Sequence, residues 1–350
     1  MAGATPKLIK ELREMTGAGM LDCKNALNEC EGDLEKAVQH LREAGLGKAA
    51  KKAGNVAAEG LISILINDNF TKATMTEINS QTDFVAKNEN FINLTKDITA
   101  HVQSTGVSET EELKQTTING QVFEEFLNEK IATIGENIVA RKMVTLATDS
   151  GVVNGYVHAT GRVGVLLAAT CDAAAKEKAA ALLKNIAMHA SAMKPTVISY
   201  NDLDPEFVES ETRAIKAEIE AENDELKRLG KPLKNIPEFV SKSQLTQEAL
   251  ANAKAAFEAE LKEQGKPEQI WDKIVPGKME RFIQDNTQLD GRLALLSQNF
   301  VMDDKKTVEQ VLAETDPSIK IVEYVRFELG EGIEKKEEDF AAEVAKQMGN

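Results

Sequence analysis

Residues 60–78 read GLISILINDNFTKATMTEI, and this stretch decides the class of fold. Leu61–Ile66 is almost continuously apolar, which is typical of a strand. Asn67-Asp68-Asn69 has the composition of a tight turn, and the chain returns from Lys72 to Ile78 as a second strand. The stretch therefore predicts a β-hairpin.

The chain after the hairpin changes to helical spacing and later repeats the whole pattern. From about Asn90 the apolar residues fall on one helix face, and a further helix precedes a β-rich segment at 138–146. Two strands, 155–159 and 164–169, then precede a helix at 173–192. The recurrence predicts an internal duplication with two related α+β halves.

The segment before the hairpin predicts three short helices within residues 5–45. Thr5 is placed to cap the first helix, with Pro6 at its first position, and Asp33 is placed to cap the third. Gly45 is expected to end the third helix. So small a module has a thin core and is typical of a docking unit, and residues 46–58 are expected to form a linker that is at most partly helical.

Residues 204–284 are rich in charge and predict a long helical arm that begins at Asp204. Gly230-Lys231-Pro232 interrupts the helical pattern and recurs as Gly265-Lys266-Pro267, 35 residues further on. We interpret this recurrence as a duplicated limb of an antiparallel arm. The apolar positions that resemble a coiled-coil seam are Val208, Ile215, Ile219, Leu226 and Leu229.

The overall composition argues against several classes of protein. The chain has 350 residues, with 42 basic and 57 acidic side chains and a net charge of −15. A protein whose main task is to bind nucleic acid or an anionic membrane needs a positive surface. No stretch approaches the roughly 18 apolar residues of a membrane span, and the N-terminus lacks a signal-peptide pattern. A cytoplasmic protein is therefore expected, and three cysteines suit a reducing compartment.

No motif of an enzyme is present in the sequence. Gly17 and Gly19 lack the Gly-Lys-Ser/Thr that completes a phosphate-binding loop. His101 and His189 fall in helical patterns and His158 in a strand, so each of the three indicates a structural role. No nucleophile–base pair and no cluster of zinc ligands appears. The sequence predicts no catalytic residue, no metal site and no cofactor.

Seven segments, in order along the chain, carry a resemblance to a known family. They are LIKELREMTGAGMLDCKNAL at 8–27, NVAAEG at 55–60, TDFVAK at 82–87, GENI at 135–138, GVLL at 164–167, IAMH at 186–189 and RFELGEG at 326–332. Together they cover nearly the whole chain outside the arm. They resemble the family of bacterial elongation factor Ts, the nucleotide exchange factor of elongation factor Tu.

The resemblance implies an architecture for the whole chain, and one feature departs from it. It implies a ubiquitin-associated-like helical module, two core subdomains, a protruding helical hairpin and a C-terminal module. The arm is longer than the family's common form. The expected divisions are 1–54 for the helical module with its linker, 55–147 for core subdomain N, 148–203 with 285–330 for core subdomain C, 204–284 for the arm, and 331–350 for the C-terminal module.

The resemblance also implies the residues of the exchange site. In the family an Asp-Phe pair enters the GTPase domain of elongation factor Tu and displaces its magnesium ion. Asp83 and Phe84 match this pair, between Thr82 and Val85. The residues alone leave another role open for Phe84, because a phenylalanine between a strand and a helix can also cap the local core.

Further contacts with elongation factor Tu are implied on other segments. Arg13, Met20 and Leu21 match positions that dock on a helix of the GTPase domain, although Met20 could equally be a core residue. His158 and Arg162 match a segment that faces the other domains of the partner. A final helix at 340–348 would contribute further contacts with elongation factor Tu. Self-association through the arm is also expected. The alternative function is a non-catalytic helical adaptor or chaperone cofactor.

Overall fold

The computed structural model describes residues 4–334. Helices and strands are mixed along this part of the chain, which confirms the expected α+β class. The chain divides into two units. The first contains residues 1–149, 153–166 and the chain from 325 onward, and the second contains residues 150–152 and 167–324.

The N-terminal segment forms the three expected helices, α1 (Pro6–Thr16), α2 (Met20–Glu29) and α3 (Leu34–Lys52). Both expected caps are confirmed. Thr5 Oγ1 accepts from the Leu8 amide at 3.3 Å, and Asp33 Oδ1 accepts from the Lys36 amide at 3.1 Å. We call these three helices the helical module. Its small core is made of Leu12, Cys23, Ala26, Leu27 and Ala37.

The expected hairpin is confirmed and belongs to a three-stranded antiparallel sheet of order β1-β2-β5. The elements of this segment are β1 (Glu59–Ile66), β2 (Lys72–Ser80), α4 (Asp83–Ala86), α5 (Glu89–Thr105), α6 (Thr110–Lys114), β3 (Thr117–Ile118), β4 (Gln121–Val122), α7 (Phe123–Ile134) and β5 (Val139–Ala147). Helices α5 and α7 bury their apolar faces in one core with the sheet. The largest buried side chains there include Ile78, Phe91, Ile98, Leu113, Phe123 and Ile138.

Gly45 does not end α3, contrary to the expectation from sequence. The helix continues to Lys52, and Gly45 is buried in its interior. A Cβ atom at Gly45 would lie 3.4 Å from the Cβ of Ala132 on α7. Gly45 therefore lies where α3 packs on α7 and does not end the helix, and Ala49 one turn later is buried in the core with α7. The linker is correspondingly shorter than expected.

A second sheet has the order β10-β7-β6. As in the first sheet, a hairpin is followed by a helix, and the third strand pairs with the second strand of the hairpin. The elements are β6 (Gly151–Val157), β7 (Val163–Thr170), α8 (Lys176–Met193), α9 (Pro205–Arg228), α10 (Gln247–Glu263), α11 (Trp271–Asp285), α12 (Gln288–Leu293), β8 (Asn299–Phe300), β9 (Asp303–Thr307), α13 (Val308–Thr315) and β10 (Lys320–Glu328).

The arm contains two limbs of different construction. Helix α9 begins at the expected cap, where Asp204 Oδ1 accepts from the Phe207 amide at 2.9 Å. The chain that returns from α9, residues 229–246, contains no α-helix. The Lys234 amide donates to Asn223 Oδ1 at 2.7 Å, and Asn223 Nδ2 donates to the Lys234 carbonyl at 2.8 Å. Val240 then packs with Val208, Ile215 and Leu289 in the core of the second unit.

The second limb is a helical pair formed by α10 and α11. The rings of Phe257 and Phe282 are 6.1 Å apart, and Lys278 Nζ lies 2.5 Å from Glu260 Oε2, which sets the two helices antiparallel. The two Gly-Lys-Pro turns are alike, since Gly230 and Gly265 have φ 65° and 68° and the lysine that follows each donates to a leucine carbonyl at 3.0 Å. The interpretation of the whole limb as a duplicate is wrong beyond these turns, because only the second limb returns as an α-helix.

The segment after β10 is held against the first sheet by a buried carboxylate. Glu77 Oε1 accepts from Arg141 Nη1 at 2.8 Å and from the Gly330 amide at 3.0 Å, and Glu77 is completely buried. Gly330 has φ 73°, and an added Cβ would lie 2.6 Å from the Ala58 carbonyl oxygen. The expected last helix, with Phe340 and Val344, lies outside the described residues.

His189 is buried and uncharged in the second unit. The Val301 amide donates to His189 Nδ1 at 3.2 Å, so the proton is on Nε2, which donates to Gln298 Oε1 at 3.0 Å. A second proton on Nδ1 would face the Val301 amide. Burial lowers the pKa of His189 below its ordinary value, although the hydrogen bond with Gln298 acts in the opposite direction.

We expect the free energy of unfolding to fall as the pH is lowered from about 7.5 to 5.5. Unfolded His189 takes up a proton near pH 6.5, roughly its unperturbed pKa, whereas the native histidine, whose pKa is lowered, takes up a proton only at lower pH. Stability is therefore lost as the pH falls, by at most about 1.4 kcal/mol per pH unit for one proton. Urea unfolding at several pH values would measure this. His189→Gln should flatten the dependence, and an equally steep dependence in that variant would contradict the assignment.

No described helix is long and apolar enough to cross a membrane.

Candidate functional site

The four residues Thr82–Val85, which we call the wedge segment, form the start of the short helix α4. Thr82 caps this helix, since its Oγ1 accepts from the Val85 amide at 3.3 Å. The Ser80 hydroxyl at the end of β2 donates to the Thr82 carbonyl at 3.1 Å. Val85 packs against the core beneath. The segment is thus a tight turn set directly on the end of a buried strand.

Phe84 points away from the core. Its side chain is 80% exposed, the largest fraction among the described large apolar residues. The alternative that Phe84 caps the local core is therefore wrong. Burying a phenylalanine side chain releases about 1.5–3 kcal/mol, so an exposed one at a fixed position favours a partner that covers it.

Asp83 and Lys87 form an ion pair beside Phe84. Lys87 Nζ lies 2.7 Å from Asp83 Oδ2 and 6.0 Å from the centre of the Phe84 ring. The hydrogen bond from Lys87 lowers the pKa of the Asp83 carboxyl group. Asp83 is therefore ionised at neutral pH, and it is half-exposed and paired with an exposed surface lysine. An exposed pair of this kind is worth little and can be exchanged for contacts with a partner.

Glu136 holds the backbone of the wedge segment. Its Oε2 accepts from the Gln81 amide at 3.1 Å and from the Thr82 amide at 3.0 Å. Its Oε1 accepts from the Thr82 hydroxyl at 2.6 Å, and the Asn137 amide donates in return to Gln81 Oε1 at 3.2 Å. The sequence singled out the motif GENI at 135–138 but assigned it no role. No sequence signal connects it to Thr82, because the two are 54 residues apart.

The helical module presents a second exposed apolar surface. Met20 and Leu21 begin α2 and are 64% and 69% exposed, so Met20 is not a core residue. Arg13 on α1 is also exposed. These three side chains are available to a partner, as the resemblance implied, and none of them is needed by the core of the module.

His158 and Arg162 lie in the turn between β6 and β7. Strand β6 ends at Val157, so His158 lies in the turn and not in the strand that the sequence predicted. Arg162 Nη1 lies 2.5 Å from Glu59 Oε2, and Glu59 pairs with Ser80 across the first sheet. The structure therefore brings this turn to the same end of the first hairpin as the wedge segment.

The described residues contain no group of three or more His, Cys, Asp or Glu side chains that could hold a metal ion. Two of the histidines are structural. Besides His189, His101 stacks on Phe123 with ring centres 5.9 Å apart and bonds to Thr116 Oγ1 at 2.7 Å. The exposed features of the site are thus suited to binding a macromolecule.

Comparison with known proteins gives the family. Residues 81–236 and 234–331 match the family described as Elongation factor TS. This chain belongs to the elongation factor Ts family. It is 76% identical over 349 residues to elongation factor Ts of Aliarcobacter butzleri, with all of both chains covered.

Two further relatives agree over the full length of the chain. Elongation factor Ts of Campylobacter curvus is 60% identical over 351 residues, with 99% of both chains covered. The protein of the same name from Wolinella succinogenes is 56% identical over 355 residues, with 100% of both covered. These relatives therefore match the chain over its full length, including the arm. Like the family, the chain is a nucleotide exchange factor for elongation factor Tu.

Proposed function

We propose that the chain accelerates release of GDP from elongation factor Tu by inserting the wedge segment into the GTPase domain, where it displaces the magnesium ion. The observation that carries this proposal is Phe84, an exposed ring at a position held from below. Insertion would bury the ring in the partner, and the free energy of this burial would offset part of the free energy needed to distort the nucleotide site.

The physical chemistry of magnesium explains why a small wedge is sufficient. Mg²⁺ needs near-ideal octahedral oxygen ligands at about 2.0–2.1 Å and bridges the phosphates of the nucleotide. Displacing one element of the GTPase domain by about an ångström spoils that geometry, and the nucleotide then dissociates faster. By linkage, the exchange factor and the nucleotide weaken each other's binding by the same factor. Cellular concentrations of GDP and GTP then set the direction of exchange.

No covalent bond is made or broken in this mechanism, so the chain needs no catalytic acid or base and acts without a cofactor. Asp83 contributes its charge and its hydrogen-bonding capacity. Its ion pair with Lys87 in the free chain leaves the carboxylate ionised and exposed, ready to accept donors from the GTPase domain.

The helical module and the turn at His158 and Arg162 would provide the remaining contacts. We assign Arg13, Met20 and Leu21 to a helix of the GTPase domain. Arginine and methionine are enriched at protein interfaces, and arginine also at their binding hot spots. We assign His158 and Arg162 to the other domains of elongation factor Tu, because their turn lies at the same end of the hairpin as the wedge segment.

The finer architecture belongs to the same proposal. We divide the chain into the helical module at 1–54, subdomain N at 55–147, subdomain C at 148–203 with 285–330, the arm at 204–284 and the C-terminal module at 331–350. The equal strand order of the two sheets supports two related subdomains. The net charge of −15 supports a protein that binds neither nucleic acid nor an anionic membrane. We also assign the chain to the cytoplasm, because its small number of cysteines suits a reducing compartment. Exposed Leu229, Leu233 and Ile236 on the arm support self-association.

Release of fluorescent GDP from purified elongation factor Tu tests the mechanism. The chain should accelerate release strongly when Mg²⁺ is present. After the metal is removed with a chelator, spontaneous release should already be fast, and we expect the further acceleration to shrink at least about tenfold. Equal acceleration with and without Mg²⁺ would contradict metal displacement. No acceleration in either condition would favour the adaptor or chaperone cofactor.

A further inference from the structure

Helix α7 contacts both of the elements that are assigned to elongation factor Tu. On one side, α7 packs against α3 of the helical module. Arg42 Nε lies 2.9 Å from Glu129 Oε1, and Gly45 packs on Ala132. At its C-terminal end, Gly135 closes the helix with φ 88° and turns the chain so that Glu136 reaches the wedge segment. One rigid element thus connects the two surfaces.

The contact made by Glu136 is specific for a carboxylate. Three donors converge on it, the amides of Gln81 and Thr82 and the hydroxyl of Thr82, at 2.6–3.1 Å. Both oxygens of a carboxylate accept, whereas an amide side chain in this place would direct an NH₂ group at one or more of these donors. Hydrogen bonds to a charged acceptor are roughly twice as strong as neutral ones. The three hydrogen bonds to Glu136 therefore restrain the turn that carries Asp83 and Phe84.

We propose that Glu136 is a positioning residue for nucleotide exchange, which fixes the wedge segment relative to α7 and therefore relative to the docked helical module. Glu136 acts through the backbone at Gln81 and Thr82, without a contact of its own on Phe84. The proposal rests on the assignment of the wedge segment made above. Its physical basis is pre-organisation, since a wedge that is already held in place loses less entropy when it enters the partner.

The test uses Glu136→Gln in the full chain, with Glu125→Gln as the matched control. Glu125 is exposed on α7, the helix that ends just before Glu136. GDP release from elongation factor Tu is measured as a function of the concentration of each variant. For Glu136→Gln we expect the maximal rate to fall about tenfold, while the concentration at half-maximal rate changes less than about threefold, because the helical module is untouched. Glu125→Gln should leave both quantities unchanged.

A second experiment separates a positioning role of Glu136 from a general loss of structure. Glu136→Gln is also made together with Asp83→Ala and Phe84→Ala. If Glu136 acts through the wedge segment, it should have less than about a twofold effect in that background, because coupled residues are not additive. Hydrogen exchange at the Thr82 amide should rise in Glu136→Gln and not in Glu125→Gln.

The outcomes are distinguishable. A normal maximal rate for Glu136→Gln would overturn the positioning role, even if Phe84→Ala is inactive and the wedge assignment stands. An equal loss with and without the wedge residues would also overturn it, because the glutamate would then support the fold as a whole. Full activity of Asp83→Ala with Phe84→Ala would instead refute the wedge assignment itself.

Discussion

Replacement of Asp83 and Phe84 by alanine is expected to lower the maximal rate of stimulated GDP release by about a hundredfold, equivalent to about 2.7 kcal/mol of barrier. The ring supplies apolar surface that is buried only in the complex, and the carboxylate supplies charge at the nucleotide site. Phe84 is exposed and Asp83 is half-exposed, and their loss removes from the free chain a surface ion pair and the contact of Lys87 with the Phe84 ring. The thermal unfolding temperature should therefore stay close to that of the unchanged chain.

Phe70→Ala is the control for this experiment. Phe70 is also a partly exposed phenylalanine, and it lies in the turn at the opposite end of the same hairpin. Loss of one aromatic ring from this position should leave stimulated release within about twofold of normal, as for a surface change away from the interface. A wedge double variant with full activity and an intact circular dichroism spectrum would show that other residues disturb the nucleotide site.

The second large effect is expected at the helical module. Met20→Ala combined with Leu21→Ala should raise the concentration needed for half-maximal exchange by at least about tenfold, because central apolar residues of an interface contribute about 2 kcal/mol or more. The maximal rate should change little, since the wedge segment is intact. Titration of the exchange rate separates these two quantities.

Leu46→Ala is the matched control for the docking surface. Leu46 is 46% exposed, on α3 of the same module, so its replacement removes a similar apolar side chain away from α2. We expect Leu46→Ala to bind normally. If the α2 variant also binds normally while Arg13→Ala does not, the contact is centred on α1 and the apolar assignment is wrong.

Local patterns determined most of the elements correctly. The apolar run at Leu61–Ile66 with its Asn-rich turn predicted the hairpin, and Thr5, Asp33 and Asp204 predicted three helix starts. Such signals are readable because a strand, a turn or a cap depends on residues only a few positions apart. The same is true of the coarse α+β class.

The errors came where long-range packing overrides a local signal. Gly45 resembles a helix stop, but α3 continues through it to Lys52 and packs there on Ala132 of α7. The two Gly-Lys-Pro segments resemble copies, but only the second continues as a helix, and Val240 of the first is drawn into the core of the second unit. The local sequence is the same whether a glycine ends a helix or lies inside one, and whether a repeated turn is followed by a helix or by an extended segment.

The sequence by itself therefore determined the class of fold and the positions of most helices and strands, and its resemblance to a family supplied the proposal that Asp83 and Phe84 form the wedge. Only the tertiary structure decided that Phe84 is exposed, that Met20 is outside the core, and that Glu136 holds the amides of Gln81 and Thr82. The physical reason is that burial and hydrogen bonding across 54 or more residues depend on how distant elements pack, and no periodicity within a single segment encodes that arrangement.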